Sequence, residues 1–282
     1  MAIDEPLRPT EPLVLLHGIT MSGRVWDRTI PFLKAHHQVL APTLMGHHGG
    51  ATPVERPVRL RHLVDDIERI LDQSELDRPH FAGNSLGGWI ALELAGRGRA
   101  SSVCALSPAG FWSIGTRPQL EPPTRLKRVI REARRAHRVL PFVARSKLGR
   151  RRALRSVAVH GENLTAAEVI RTTTDLLECV VAPDLFGSTE RFEDLHPPPP
   201  RVTLAWAEKD RILPLHVNGA IARRRMPSAQ FIVLPGVGHV PMIDDPQLVA
   251  RTILESTGAT EVHVAAHSPT GEAISAGDLK TG

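Results

Sequence analysis

Between Pro79 and Arg97 a short apolar run passes through Gly83-Asn84-Ser85-Leu86-Gly87-Gly88 into a stretch that repeats Leu86, Ile90 and Leu94 at helical spacing. Few backbones accept that order. A strand that hands directly to a helix needs a sharp turn, and Gly83 and Gly87 remove the side chains that would hold strand and helix apart. The turn leaves the Ser85 hydroxyl exposed, with the unpaired N–H groups and positive dipole end of the following helix beside it. The plainer alternative is a surface turn that happens to contain serine; the apolar run on one side and the helical repeat on the other argue against it.

The rest of the chain fits that beginning. Residues 13–16 form a pure apolar run ended by His17-Gly18 and read as a buried strand. A helix is expected from Ser22, as N-cap, through Val25, Trp26, Ile30 and Leu33, then a strand over 38–41 and a glycine-rich loop over 42–53. A helix over 60–71 places Leu63, Ile67, Ile70 and Leu71 on one face, and 102–106 is another strand. Strands alternating with helices predict an α/β fold, a mostly parallel, doubly wound sheet covered on both faces. The rhythm stops at Phe111, and the text is helical and basic until four prolines at 197–200, which form a stiff connector. It resumes with strands at 202–206 and 230–234 and helices near 217–225 and 246–256. The expected division is a core of residues 1–110 and 197–257, an inserted helical cap of 111–196, and a small, polar, flexible tail of 258–282.

A chain of 282 residues suits one such domain with an insertion. Cys104 and Cys179 are far apart and give no disulfide framework, so reduced thiols and a cytoplasmic protein are expected. The first residues have neither a basic start nor an apolar stretch, and no leader is expected. The net charge of +5 is unevenly spread: residues 111–160 hold 14 Lys or Arg against Glu121 and Glu132, which leaves the remainder acidic. The basic character is therefore local, and no nucleic-acid partner is expected from it. No glycine-rich phosphate cradle follows the first strand, and His36-His37 and His47-His48 lack metal-ligand spacing. No cofactor and no metal are expected, and the anticipated partner is a small-molecule substrate.

A serine hydroxyl is a weak nucleophile until a base accepts its proton and a third group holds that base. His239 follows the strand at 230–234 in Pro-Gly-Val-Gly-His, and Asp210 follows the strand at 202–206. Glu208 and Asp184 are rival carboxylates. For a developing oxyanion, the backbone N–H of Ile19, in the turn after the first strand, pairs with that of Leu86. His17 is expected to brace that turn.

The segments His17-Gly18-Ile19, Gly83-Asn84-Ser85-Leu86-Gly87-Gly88, Asp210-Arg211-Ile212-Leu213-Pro214 and Gly238-His239 resemble the signature blocks of the α/β-hydrolase superfamily. The resemblance implies a serine hydrolase working through an acyl-enzyme, with Ser85 as nucleophile, His239 as general base then acid, and Asp210 orienting it. It implies that the cap roofs the site and selects the substrate. One departure is that the family's usual N-terminal hairpin is mostly missing ahead of residue 12. Serine at position 85 speaks against haloalkane dehalogenases and epoxide hydrolases, which place an aspartate there. Gly-Asn-Ser-x-Gly-Gly is shared by esterases and by hydrolases that cleave carbon–carbon bonds in vinylogous diketones. Carboxylic ester hydrolysis is the first expectation, C–C hydrolysis the second, and a non-enzymatic small-ligand sensor the third.

Residues 124–140 read as a basic amphipathic helix, with Leu126, Val129, Ile130, Ala133 and Leu140 apolar among arginines. One reading is a lid with its arginines in water; the other is peripheral contact with an anionic membrane. Trp112, Phe142 and Phe186 are expected to make the pocket apolar, for aliphatic or aromatic acyl groups.

Overall fold

The computed structural model describes residues 11–112, 121–195 and 201–259. The proline connector at 197–200, the tail from 260 onward, and the side chains of Leu126 and Val129 lie outside the described residues.

Six strands, β1 (Pro12–Leu16), β2 (Gln38–Leu40), β3 (His80–Asn84), β4 (Ser102–Leu106), β5 (Val202–Ala207) and β6 (Gln230–Leu234), form one sheet in the order β2-β1-β3-β4-β5-β6. Every pairing is parallel. Successive strand residues point to opposite faces, and in β1 this sends Val14 and Leu16 into one core and Leu13 and Leu15 into the other. The first core is covered by α2 (Leu60–Gln73) and α3 (Leu86–Gly96), which contribute Leu63, Ile67, Ile90 and Leu94. The second is covered by α1 (Ile30–Leu33) and α11 (Pro246–Thr257), through Leu33, Val249 and Ile253. The order of the strands reverses between β1 and β3. Crevices in such sheets open outside the carboxyl ends of the strands at that switch, which is where β1 runs out into His17 and β3 into Ser85.

Between β4 and β5 the chain leaves the sheet and builds α4 (Glu121–Ala136), α5 (Leu140–Val143), α6 (Lys147–Leu154), α7 (Ala166–Glu178) and α8 (Ala182–Gly187), with no strand among its described residues. The segment is anchored at its ends, where the Phe111 and Phe192 rings pack 4.6 Å apart and Phe111 meets Trp206 of β5. Three acids tie it to the sheet domain. Asp175 of α7 accepts from Ser22 Oγ (2.7 Å) and Arg24 (2.8 Å) and lies 2.7 Å from His48 Nδ1. Asp184 of α8 accepts from Arg56 (2.9 Å) and from the Val58 amide (2.9 Å). The third, Asp244, belongs to the short helix α10 (Pro241–Asp244) and accepts from the amides of Val159 and His160.

Proline explains where helices differ from expectation. Instead of one helix from Ser22, a 3-10 turn (Gly23–Trp26) is followed by α1, because Pro31 lacks the N–H that a continuous helix needs. Ser22 makes no cap bond and serves Asp175 instead. The basic helix likewise stops at Ala136, and α5 begins afresh with Pro141 in its first turn. After Pro214 a π-helical turn (Leu215–Gly219) leads into α9 (Ala220–Arg225), two residues earlier than the spacing suggests. No helix among the described residues is long and apolar enough to cross a membrane.

Candidate active site

Ser85 sits between β3 and α3 with φ 53° and ψ −113°, a conformation that non-glycine residues rarely hold. The fold fixes it there. The Ser85 N–H donates to Leu106 O of β4 (3.0 Å), and its carbonyl accepts from the amides of Trp89 (3.1 Å) and Ala109 (2.9 Å). A Cβ on Gly83 would strike the Gly87 backbone, and one on Gly87 would strike Leu16 O of β1. The glycines thus permit the contact that sets the hydroxyl at the sheet's edge.

His239 lies in the loop after β6. Its Nδ1 is 2.7 Å from Asp210 Oδ2, and both side chains are almost wholly withdrawn from solvent. The other Asp210 oxygen accepts from the amides of Ile212 (2.8 Å) and Leu213 (2.7 Å), so the carboxylate cannot swing away without stranding two donors. An ionised Asp210 takes the Nδ1 proton as its donor and leaves Nε2 as the basic ring nitrogen. The rival acids are engaged elsewhere: Glu208 accepts from the Gly236 amide (2.7 Å), and Asp184 holds α8 to the sheet domain.

Ser85 and His239 line a single cavity of about 780 Å³, part of it open to solvent. Ile19 lines it too, and the turn that carries Ile19 is close: a Cβ on Gly18 would lie 3.4 Å from Ser85 Cβ. Leu86 opens α3, so its amide is one that the helix leaves unpaired. His17 braces the turn. Its Nδ1 is 2.8 Å from Gly18 O, and Nε2 accepts from the Leu44 amide (2.9 Å), which requires the neutral ring with its proton on Nδ1. Burial, with His47 nearby, holds the His17 pKa well below its ordinary value.

The upper part of the cavity comes from the inserted segment: Ala133 of α4, Ala153 and Leu154 of α6, Ser156, Val157, and Thr172, Thr173 and Leu176 of α7. Ile212 and Val240 complete an aliphatic lining. The three aromatic side chains expected in the lining lie elsewhere. Trp112 packs edge-on against Trp89 (5.5 Å), Phe186 packs on the sheet core, and Phe142 is 68 % exposed, so none of the three lines the cavity. Among the described residues no group of three or more His, Cys, Asp or Glu could hold a metal ion.

Two further residues hold the site and were not singled out from sequence. Asn84 Nδ2 donates to His239 O (2.9 Å) and to Leu106 O (3.1 Å), clamping the His239 loop to the ends of β3 and β4. Asp244 Oδ2 accepts from the Gly238 amide (2.7 Å), one residue before His239, while the same carboxylate binds Val159 and His160. The Asn-Ser pair at the elbow was a usable signal for the first. The second depends on partners 84 and 85 residues away.

A family model described as the alpha/beta hydrolase family matches residues 13–252. The chain is 29 % identical over 198 residues to epoxide hydrolase EphH of Mycobacterium tuberculosis, covering 68 % of this chain and 91 % of that one. It is 26 % identical over 258 residues to lipase 1 of Psychrobacter immobilis, covering 87 % and 78 %. Among solved structures, 2-hydroxy-6-oxo-6-phenylhexa-2,4-dienoate hydrolase (BphD) from Rhodococcus sp. strain RHA1 superposes with a TM-score of 0.66 at 21 % identity, covering 88 % of this chain and 91 % of that one.

Proposed function

Because the chain belongs to the alpha/beta hydrolase family, we propose that this hydrolase cleaves carboxylic esters through an acyl-enzyme on Ser85. His239 Nε2 takes the hydroxyl proton as Ser85 Oγ attacks the ester carbonyl. The carbonyl oxygen becomes an oxyanion held by the amides of Ile19 and Leu86. The intermediate collapses, His239 gives its proton to the departing alcohol, and the acyl group remains on Ser85. Water deprotonated by His239 then releases the acid and restores the serine. Asp210 keeps the imidazole in the working tautomer throughout. The observation that carries this reading is the 2.7 Å contact of His239 Nδ1 with buried Asp210, beside a cavity that Ser85 shares.

The lining favours esters of short or medium aliphatic acids. Among the described residues it includes no Arg, Lys, Asp or Glu, so a dienoate carboxylate would find no cation in the cavity, which ranks C–C hydrolysis second. Epoxide opening does not suit this elbow. Attack by Ser85 on an epoxide would leave an alkyl ether, which has no carbonyl for water to attack, and the enzyme would stop after one event.

The test is steady-state hydrolysis of p-nitrophenyl esters from acetate to octanoate, without added metal. The native chain is expected to turn over repeatedly, and Ser85→Ala to lose nearly all activity with its circular dichroism unchanged. Activity surviving the substitution overturns the proposal, and a single slow turnover would favour the sensor.

A further inference from the structure

Four of the nine most exposed large hydrophobic side chains among the described residues fall within ten positions: Val139 (54 %), Phe142 (68 %), Val143 and Leu148 (65 %). They sit together. Val139 O accepts from the amides of both Phe142 and Val143, which stacks these residues on successive turns, and Gly149, the neighbour of Leu148 in sequence, lies close against Val143 O. Arg150 donates to the carbonyls of Ala144 (2.9 Å) and Arg145 (3.2 Å), fixing the turn between α5 and α6.

Exposed basic residues flank these side chains along the chain. Residues 127–155 contain twelve Lys or Arg and one acid, Glu132. Arg134, Arg135, Arg138, Arg145 and Lys147 are all exposed, and the Arg145 guanidinium lies 5.3 Å from the centre of the Phe142 ring. The sequence alone suggested arginines around an inward apolar face. The structure adds an outward apolar one.

From this arrangement we propose that the outer face of α5 and the adjoining ends of α4 and α6 docks on an anionic lipid bilayer. The aliphatic and aromatic tips enter the headgroup boundary while the flanking basic residues meet phospholipid phosphates. A second copy of this chain is a poor occupant, because it would set the same basic residues against these. Nucleic acid would satisfy the basic residues and leave the apolar tips without a role. The placement is consequential: α4 and α6 also contribute Ala133, Ala153 and Leu154 to the cavity, so the proposed contact and the cavity share two helices. The surface stands independently of what Ser85 does.

The experiment is flotation of the full chain with vesicles of phosphatidylcholine alone and of phosphatidylcholine mixed with phosphatidylglycerol. Binding is expected to the mixed vesicles and to weaken with added salt, each basic residue at the surface contributing about fivefold. The triple variant Arg134→Glu, Arg135→Glu, Arg138→Glu should lower partitioning by more than about a hundredfold. Phe142→Ser should lower it by about tenfold with every charge retained. All four positions are exposed, so melting temperature serves as the control for folding. Absence of binding, or equal binding to both vesicles, overturns the proposal. Salt-sensitive binding that Phe142→Ser leaves unchanged also overturns it, and would identify a site for soluble polyanions, including nucleic acid.

Discussion

Replacing Asp244 tests whether the inserted segment and the His239 loop are held as one unit. The carboxylate is buried, and three backbone amides converge on it: Gly238 (2.7 Å), His160 (2.6 Å) and Val159 (3.0 Å). A second bond, from the Val240 amide to Val157 O (2.9 Å), closes the other side of His239 onto the same stretch. Asp244→Ala strands the three donors. At roughly 1–3 kcal/mol for each unsatisfied buried group, less what water entering the gap restores, the loss is about 3–5 kcal/mol. That is a large share of the roughly 5–15 kcal/mol that holds a domain folded, and it corresponds to a fall in Tm on the order of 10 °C. The loop should also lose its register, and a displacement of about 1 Å at a catalytic base costs about a hundredfold in kcat. Thermal melting by circular dichroism reads the first effect and p-nitrophenyl ester kinetics the second. Because a structural loss alone would not change kcat of the fraction that remains folded, kcat measured well below the melting temperature separates the roles. An Asp244→Ala protein with the parent's Tm and kcat would refute the reasoning.

Burial pushes the His47 pKa down to about 4, against an ordinary value near 6.5. As pH falls below about 6.5 the unfolded chain takes up a proton that the folded one refuses, so stability should decline by roughly 3 kcal/mol by pH 4, with His17 and His37 acting in the same direction. Chemical denaturation across this range should show a shallower decline for His47→Gln; parallel curves would count against the assignment. Burial also raises the Cys104 thiol to about 12 and lifts that of Cys179, so neither should react with a disulfide reagent until the protein is unfolded. Rapid labelling of the native protein would contradict that. Gly87→Ala drives a Cβ into Leu16 O and should destabilise the fold or abolish soluble expression; a stable, active variant would mean that the elbow is laxer than described.

Much of the sheet was legible because β1, β3, β4 and β5 are short runs buried along almost their whole length, dominated by apolar residues. The order of Ser85, Asp210 and His239 along the chain was legible because each follows a strand and parallel strands share one carboxyl edge. What sequence periodicity missed has identifiable causes. Leu33 and Trp26 share an apolar face that suggests one helix, yet Pro31 interrupts the hydrogen bonding between them. Trp112, Phe142 and Phe186 are large and apolar, but whether such a ring faces a pocket, the core or water is set by distant partners: Trp89 claims the first, the sheet core the third, and the second stays largely exposed among the described residues. Asn84 acts through a bond to His239, far along the chain, and Asp244 joins its near neighbour Gly238 to the distant Val159 and His160, links that no local pattern announces.

The central claim is that the Ser85 hydroxyl is an activated nucleophile. Intact-mass measurement after brief treatment with a fluorophosphonate, followed by peptide mapping, tests it without knowledge of the natural substrate. One adduct located on Ser85, absent from Ser85→Ala and formed far more slowly in His239→Ala, is the predicted result. An unmodified protein, or an adduct on another residue with Ser85 untouched, would contradict it.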